Sequence, residues 1–151
     1  MDQLKVSRTF DAPLETLWKA WTEPEQFMKW YGPKGFTAPT CEIDLRKGGS
    51  HLWSMQTPDG RKMYFTGKFT EVKPMERLVY TDGMSDDKGN MMSAEMMGMP
   101  AGTPVSMDVT VTFAYANGKT TVTVSHMSQG EGDGAAMGWE QAFDKLEKVL
   151  A

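Results

Sequence analysis

The dipeptide Asn117-Gly118 stands between two runs of alternating residues, and no other feature limits the fold of this chain so tightly. Asn-Gly supplies the two positive-φ residues of a type I′ turn, so the flanking runs are expected to pair as an antiparallel hairpin. Before the turn, Val105, Met107, Val109, Val111, Phe113 and Tyr115 alternate with Ser106, Asp108, Thr110, Thr112 and Ala114. Such a strand buries one face and wets the other, as antiparallel sheets do. The same period of two marks residues 36–45, 50–56, 62–72, 77–82, 105–115 and 120–127 as strands, and Leu4, Val6 and Phe10 mark one more over 3–10. Turn chemistry separates them at Lys47-Gly48-Gly49, Pro58-Asp59-Gly60 and Lys73-Pro74.

Helical spacing occurs in two places. After the first strand, Asp11 is a candidate N-cap, and Leu14, Leu17, Trp18 and Trp21 share one helix face. Thr22-Glu23-Pro24-Glu25 has capping-box spacing for a second short helix carrying Phe27, Trp30 and Tyr31, which Gly32-Pro33 stops. Near the end, Trp139, Ala142, Phe143, Leu146, Val149 and Leu150 line one side of a long helix, opposite Glu140, Asp144, Lys145, Glu147 and Lys148. The expected class is α+β, one domain over 1–151. A curved seven-stranded antiparallel sheet wraps a long C-terminal helix, with two short helices after the first strand. A sheet that curls around one helix leaves an apolar cavity wherever the two do not meet.

The core must be built from an unusual set. Leu, Ile, Val and Phe supply only 25 of 151 residues, but fourteen Met, five Trp and four Tyr add to them. Net charge is −4, with no basic run, which argues against nucleic acid or an anionic membrane as partner. No apolar run is long enough to span a bilayer, and Lys5, Arg8 and Asp11 interrupt any signal-like stretch. A single cysteine, Cys41, excludes an internal disulfide. These features set the expectation of a cytoplasmic protein, a monomer or weak dimer.

The ordered motifs resemble a known family. They are Arg8-Thr9-Phe10-Asp11-Ala12-Pro13, Trp18-Lys19-Ala20-Trp21, Trp30-Tyr31-Gly32-Pro33 and the run from Cys41 to Gly49. Pro58-Asp59-Gly60, the run from Pro74 to Tyr80 and Gly138-Trp139 complete the set. Together they are similar to the bacterial activator-of-heat-shock-protein-90-ATPase-like family of the START-like (SRPBCC) superfamily, over almost the whole chain. The resemblance implies a helix-grip fold with a pocket between sheet and C-terminal helix. It implies less about function, because the superfamily holds lipid and hormone binders, polyketide cyclases and co-chaperone domains, and fold does not fix function. A chaperone partner and a role in stress response follow from the family name. In the eukaryotic activators a separate N-terminal domain comes first, and here the first strand is expected by residue 3.

Chemistry-bearing residues are few. His51 and His126 lie on apolar parities, where either can hydrogen-bond a ligand or titrate near neutrality, yet no nucleophile or metal-spaced partner stands beside them. Glu42 and Asp44 share a strand face next to Arg46, which favours a salt bridge over paired-carboxylate catalysis. Cys41 lacks a basic neighbour and reads as a buried thiol. No P-loop, GxGxxG, HExxH or GxSxG occurs. No catalytic residue, metal or cofactor is assigned.

The methionines cluster, half of them between Met75 and Met99. Met91, Met92, Met96, Met97 and Met99 fall in 83–104, the one stretch without regular pattern, with a short helix expected around Ala94–Met97. Three readings stand: a soft copper(I) site, an adaptable apolar gate, or plain compositional habit. The leading expectation is binding of a small hydrophobic or aromatic molecule in the cavity. Trp53, Met55, Tyr80, Met107, Val109, Val111, His126, Trp139 and Phe143 are the candidate lining, and the 84–99 loop with its five Met the candidate gate. The alternatives are a module regulating a chaperone ATPase and an enzyme of the cyclase or hydrolase kind.

Overall fold

In the computed structural model, which describes residues 3–102, 105–127 and 134–150, the chain opens with β1 (Gln3–Phe10), α1 (Leu14–Thr22) and α2 (Pro24–Phe27). Then come β2 (Cys41–Ile43), β3 (Ser50–Gln56), β4 (Lys62–Lys73), β5 (Arg77–Ser85), β6 (Ser106–Ala116), β7 (Lys119–Met127) and α3 (Gly134–Leu150). All neighbouring strands are antiparallel, in the order β1-β7-β6-β5-β4-β3-β2. This is the expected seven-stranded sheet with its C-terminal helix. Asn117 and Gly118 take φ of 55° and 78°, the positive values that the turn between β6 and β7 requires.

Three local expectations need correction. The run 36–45 pairs over Cys41–Ile43 only, with Thr37 bridging Gln56 on its own. Pro39 interrupts it, because proline has no N–H to give the ladder. Asp11 caps nothing: Pro13 occupies the N-cap of α1, without a side-chain bond. Thr22 does not start the capping box, because its hydroxyl donates back to the Trp18 carbonyl at 2.8 Å within α1. Glu23 takes the N-cap of α2, and Pro24 opens that helix with its fixed φ. The 3-10 turn Glu95–Met97 falls where a short helix was expected.

The α3 helix is held across the concave face. Phe10 meets Phe143 edge-on at 5.6 Å. Arg8, the one charge on the apolar parity of β1, reaches Asp144 at 2.7 Å and Glu147 at 3.0 Å. Trp18 packs on Phe113 at 5.4 Å, and an aromatic chain runs from Trp21 through Trp30 and Phe27 to Trp53. Among the described residues no methionine is in the fully buried core; Met28, Met55, Met75 and Met107 pack against its margin. The core is therefore aromatic and Val-Leu, each buried large side chain contributing roughly 1.5–3 kcal/mol. Methionine forms its edge. No helix among the described residues is long and apolar enough to cross a membrane.

Candidate functional site

Side chains alternate across a strand, so each of β3 to β7 turns one residue toward the N-terminal half of α3. These are Met55, Phe65, Asp82, Met107 and His126. From above come Gly138, Trp139 and Ala142, and from the side Tyr31, Gly32 and Pro33. Together they enclose a cavity of about 190 Å³. Gly32 sits at a φ of 98°, a value that suits glycine, and its missing side chain leaves room beside Met55. Lys145 pins this wall: its ammonium donates to the carbonyls of Tyr31, Pro33 and Phe36 at 3.3, 3.2 and 3.1 Å. Burial lowers the Lys145 pKa from its ordinary value.

Two of the lining residues are strongly polar. The Trp139 indole N–H donates to Nε2 of His126 at 3.1 Å, so that nitrogen is the acceptor and the ring proton rests on Nδ1. Asp82 is different. Its Oδ1 is buried with no hydrogen-bond partner among the described residues, and burial holds its carboxyl well above the usual carboxylate range. Nε2 of His51 stands 3.8 Å from Oδ1 but donates instead to the Thr81 carbonyl at 2.7 Å. His51 stacks on Trp53 with ring centres 3.8 Å apart, and burial pushes it down to about 4 against that hydrogen bond. Burial also raises the hydroxyls of Tyr31 and Tyr80.

Of the nine expected lining residues, Met55, Met107, His126 and Trp139 border the cavity. Trp53, Tyr80, Val109, Val111 and Phe143 share the right face but are packed solid, each 2% exposed or less. Asp82 was missed. Its signal is present in the sequence, since it closes the expected strand 77–82 on the apolar parity of Leu78 and Tyr80, but a carboxylate on such a parity does not by itself mark a cavity.

The five loop methionines do not border the cavity. Asp82 points into it, so the neighbouring Gly83 faces the other side of the sheet. There a Cβ on Gly83 would meet the Met91 sulfur at 3.3 Å, and one on Gly89 would lie 3.9 Å from Leu52. The Met91 side chain thus lies on the convex side, where its backbone bridges Ser85 at the end of β5 and Met92 N–H donates to the Met84 carbonyl at 2.9 Å. Met96 is 67% exposed.

The remaining candidates have structural partners. Arg46 donates to Asp44 at 2.9 Å, and Cys41, half-buried, is pushed up to about 12 by burial and by Glu42. Among the described residues no group of three or more His, Cys, Asp or Glu is placed to hold a metal ion.

Comparison with known proteins agrees with this fold. Residues 11–151 match the sequence model of a family described as "Activator of Hsp90 ATPase homolog 1-like protein". A crystal structure from Nitrosomonas europaea superposes with a TM-score of 0.78 at 28% identity, covering 99% of this chain and 96% of that one. One from Chromobacterium violaceum gives 0.80 at 25% identity, over 98% and 96%. The AHSA1 protein of Silicibacter pomeroyi shares the fold at 20% identity, with a TM-score of 0.77 over 99% and 97%. No curated protein sequence matches.

Proposed function

The chain belongs to the Activator of Hsp90 ATPase homolog 1-like family, and from that premise we propose that it binds a small, largely apolar molecule in the cavity under α3. The observation that carries this reading is the lining itself. Met55, Phe65, Met107 and Trp139 supply adaptable thioethers and flat rings, while Asp82 and His126 supply the few polar atoms that orient a ligand. At about 190 Å³ the space falls below the roughly 300–1,000 Å³ usual for drug-sized ligands, so the occupant is about one aromatic ring in size. Binding, rather than turnover, is the role proposed, because the imidazole that borders the cavity is already engaged by an indole N–H.

Single-ring aromatics titrated against the protein should shift the Trp139 indole N–H resonance. Ala142→Leu places three more carbons in the cavity and should weaken that binding at least about tenfold, or ~1.4 kcal/mol, with the fold kept. Unchanged affinity in the folded variant would remove the proposal. The family description carries a second reading, contact with a heat-shock-protein-90-type ATPase. A change in the host chaperone's ATPase rate that Ala142→Leu leaves untouched would favour it.

A further inference from the structure

Resting on the cavity reading, we propose that Asp82 is its specificity group, donating a hydrogen bond from its carboxyl to an uncharged ligand with a carbonyl-type acceptor on a single-ring apolar body. The argument begins with position. Asp82 lies on β5 opposite Met107, in the middle of the lining row, and its side chain is 11% exposed. No hydrogen-bond partner within the described residues serves its buried Oδ1.

A carboxylate there would need a cation or several N–H donors, and among the described residues no hydrogen bond from either reaches its buried Oδ1. From β3, the His51 N–H is spent on the Thr81 carbonyl. From β7, His126 takes a hydrogen bond from Trp139. Tyr31, after α2, and Tyr80, on β5 itself, bring hydroxyls rather than charge. From α3, the Lys145 ammonium is committed to three carbonyls behind Gly32. An ionised carboxyl without compensation is far costlier to bury than a neutral one, so the acid keeps its proton. It then holds an O–H, and the complement to an O–H in an apolar cavity is an acceptor on the ligand. A cationic amine is disfavoured. Lys145 Nζ lies 4.0 Å from where a Cβ on Gly32 would stand, and a second cation across that wall would be repelled.

Three molecules of one shape separate the possibilities: acetophenone, ethylbenzene and 1-phenylethylamine, each followed by the Trp139 indole resonance. Acetophenone should bind roughly 2- to 10-fold more tightly than ethylbenzene, the worth of one hydrogen bond. That preference should hold at low pH and vanish as pH rises through the raised Asp82 pKa, when the O–H is lost. Asp82→Asn, whose amide still donates, should keep the preference without its pH dependence, and Asp82→Leu should abolish it. Equal affinities for the ketone and the hydrocarbon, a tighter amine, or a pH dependence that persists in Asp82→Asn would each overturn the assignment while leaving the cavity reading intact. If none of the three binds, the cavity reading itself falls, and this proposal with it.

Discussion

One helix covers two unlike regions of the sheet. Toward its C-terminal end, Phe143 of α3 meets Phe10, and both, like Leu146, Val111 and Val122, are buried to 1% exposure or less. Toward its N-terminal end, Gly138, Trp139 and Ala142 face Met55, Phe65, Met107 and His126 across an open space. The contrast lies in side-chain size. Two of three helix residues over the cavity are the smallest available, and the loop beside them adds Gly32, while the closed end receives a ring and a branched chain. Flexible thioethers border the void and rigid groups fill the packed end, as expected where one region must adapt and the other must hold the helix.

The largest expected effect breaks the closed end. Phe143→Ala should cost about 3–5 kcal/mol, because it removes a ring from a region with no slack, whereas Met107→Ala, beside an existing void, should cost no more than about 2 kcal/mol. Urea denaturation of both variants checks this, and equal losses would erase the distinction between the regions.

The next effect sits on their boundary, where His51 stacks on Trp53 while Asp82 faces the cavity. The His51 pKa is lowered from 6.5 to about 4, so the unfolded chain takes up its proton first as pH falls. Its contribution is complete above pH 6.5 and is lost between 6.5 and 4, about 3 kcal/mol in all. Asp82 acts with the opposite sign. Its raised pKa means stability is lost as pH climbs above the ordinary carboxylate value of 3.8 toward the raised one. Because the two oppose each other between pH 7 and 4.5, the stability of His51→Asn relative to the parent protein should rise as the pH falls through that window, read from paired denaturation profiles.

The smallest effect sharpens the open end. A Cβ on Gly138 would meet only the Pro33 ring, at an ordinary 3.7 Å. Gly138→Ala should therefore raise stability by up to about 1 kcal/mol through helix propensity, while its methyl narrows the cavity and weakens ligand binding. A thermal melt beside a binding titration decides it. Destabilisation would mean that glycine is required for close packing rather than for space.

Much of the sheet was legible because alternation and turn residues are local signals. The hairpin at Asn117-Gly118 and the strands on either side needed nothing else. Local rules failed where two local partners competed: the Thr22 hydroxyl chose the Trp18 carbonyl over a cap, and Pro39 broke a run that alternation alone would have continued. The site was half-legible for another reason. Parity reports which face a residue occupies but not its depth along the covering helix. Met107 and Val109 therefore look alike in sequence, although one borders a cavity and the other is sealed. The methionine cluster shows the same limit, since irregular sequence marks a loop without saying over which face it folds.

By itself, then, the sequence determined the order of elements, their antiparallel pairing and the apolar face of each, because these follow from periods of two and 3.6 and from the φ preferences of single residues. Only the tertiary structure decided where the helix leaves the sheet uncovered, that Asp82 is stranded in that gap, and that Met91 lies across the sheet from it. Those depend on which side chains from distant strands and α3 arrive at one point, and on whether their summed volumes fill it.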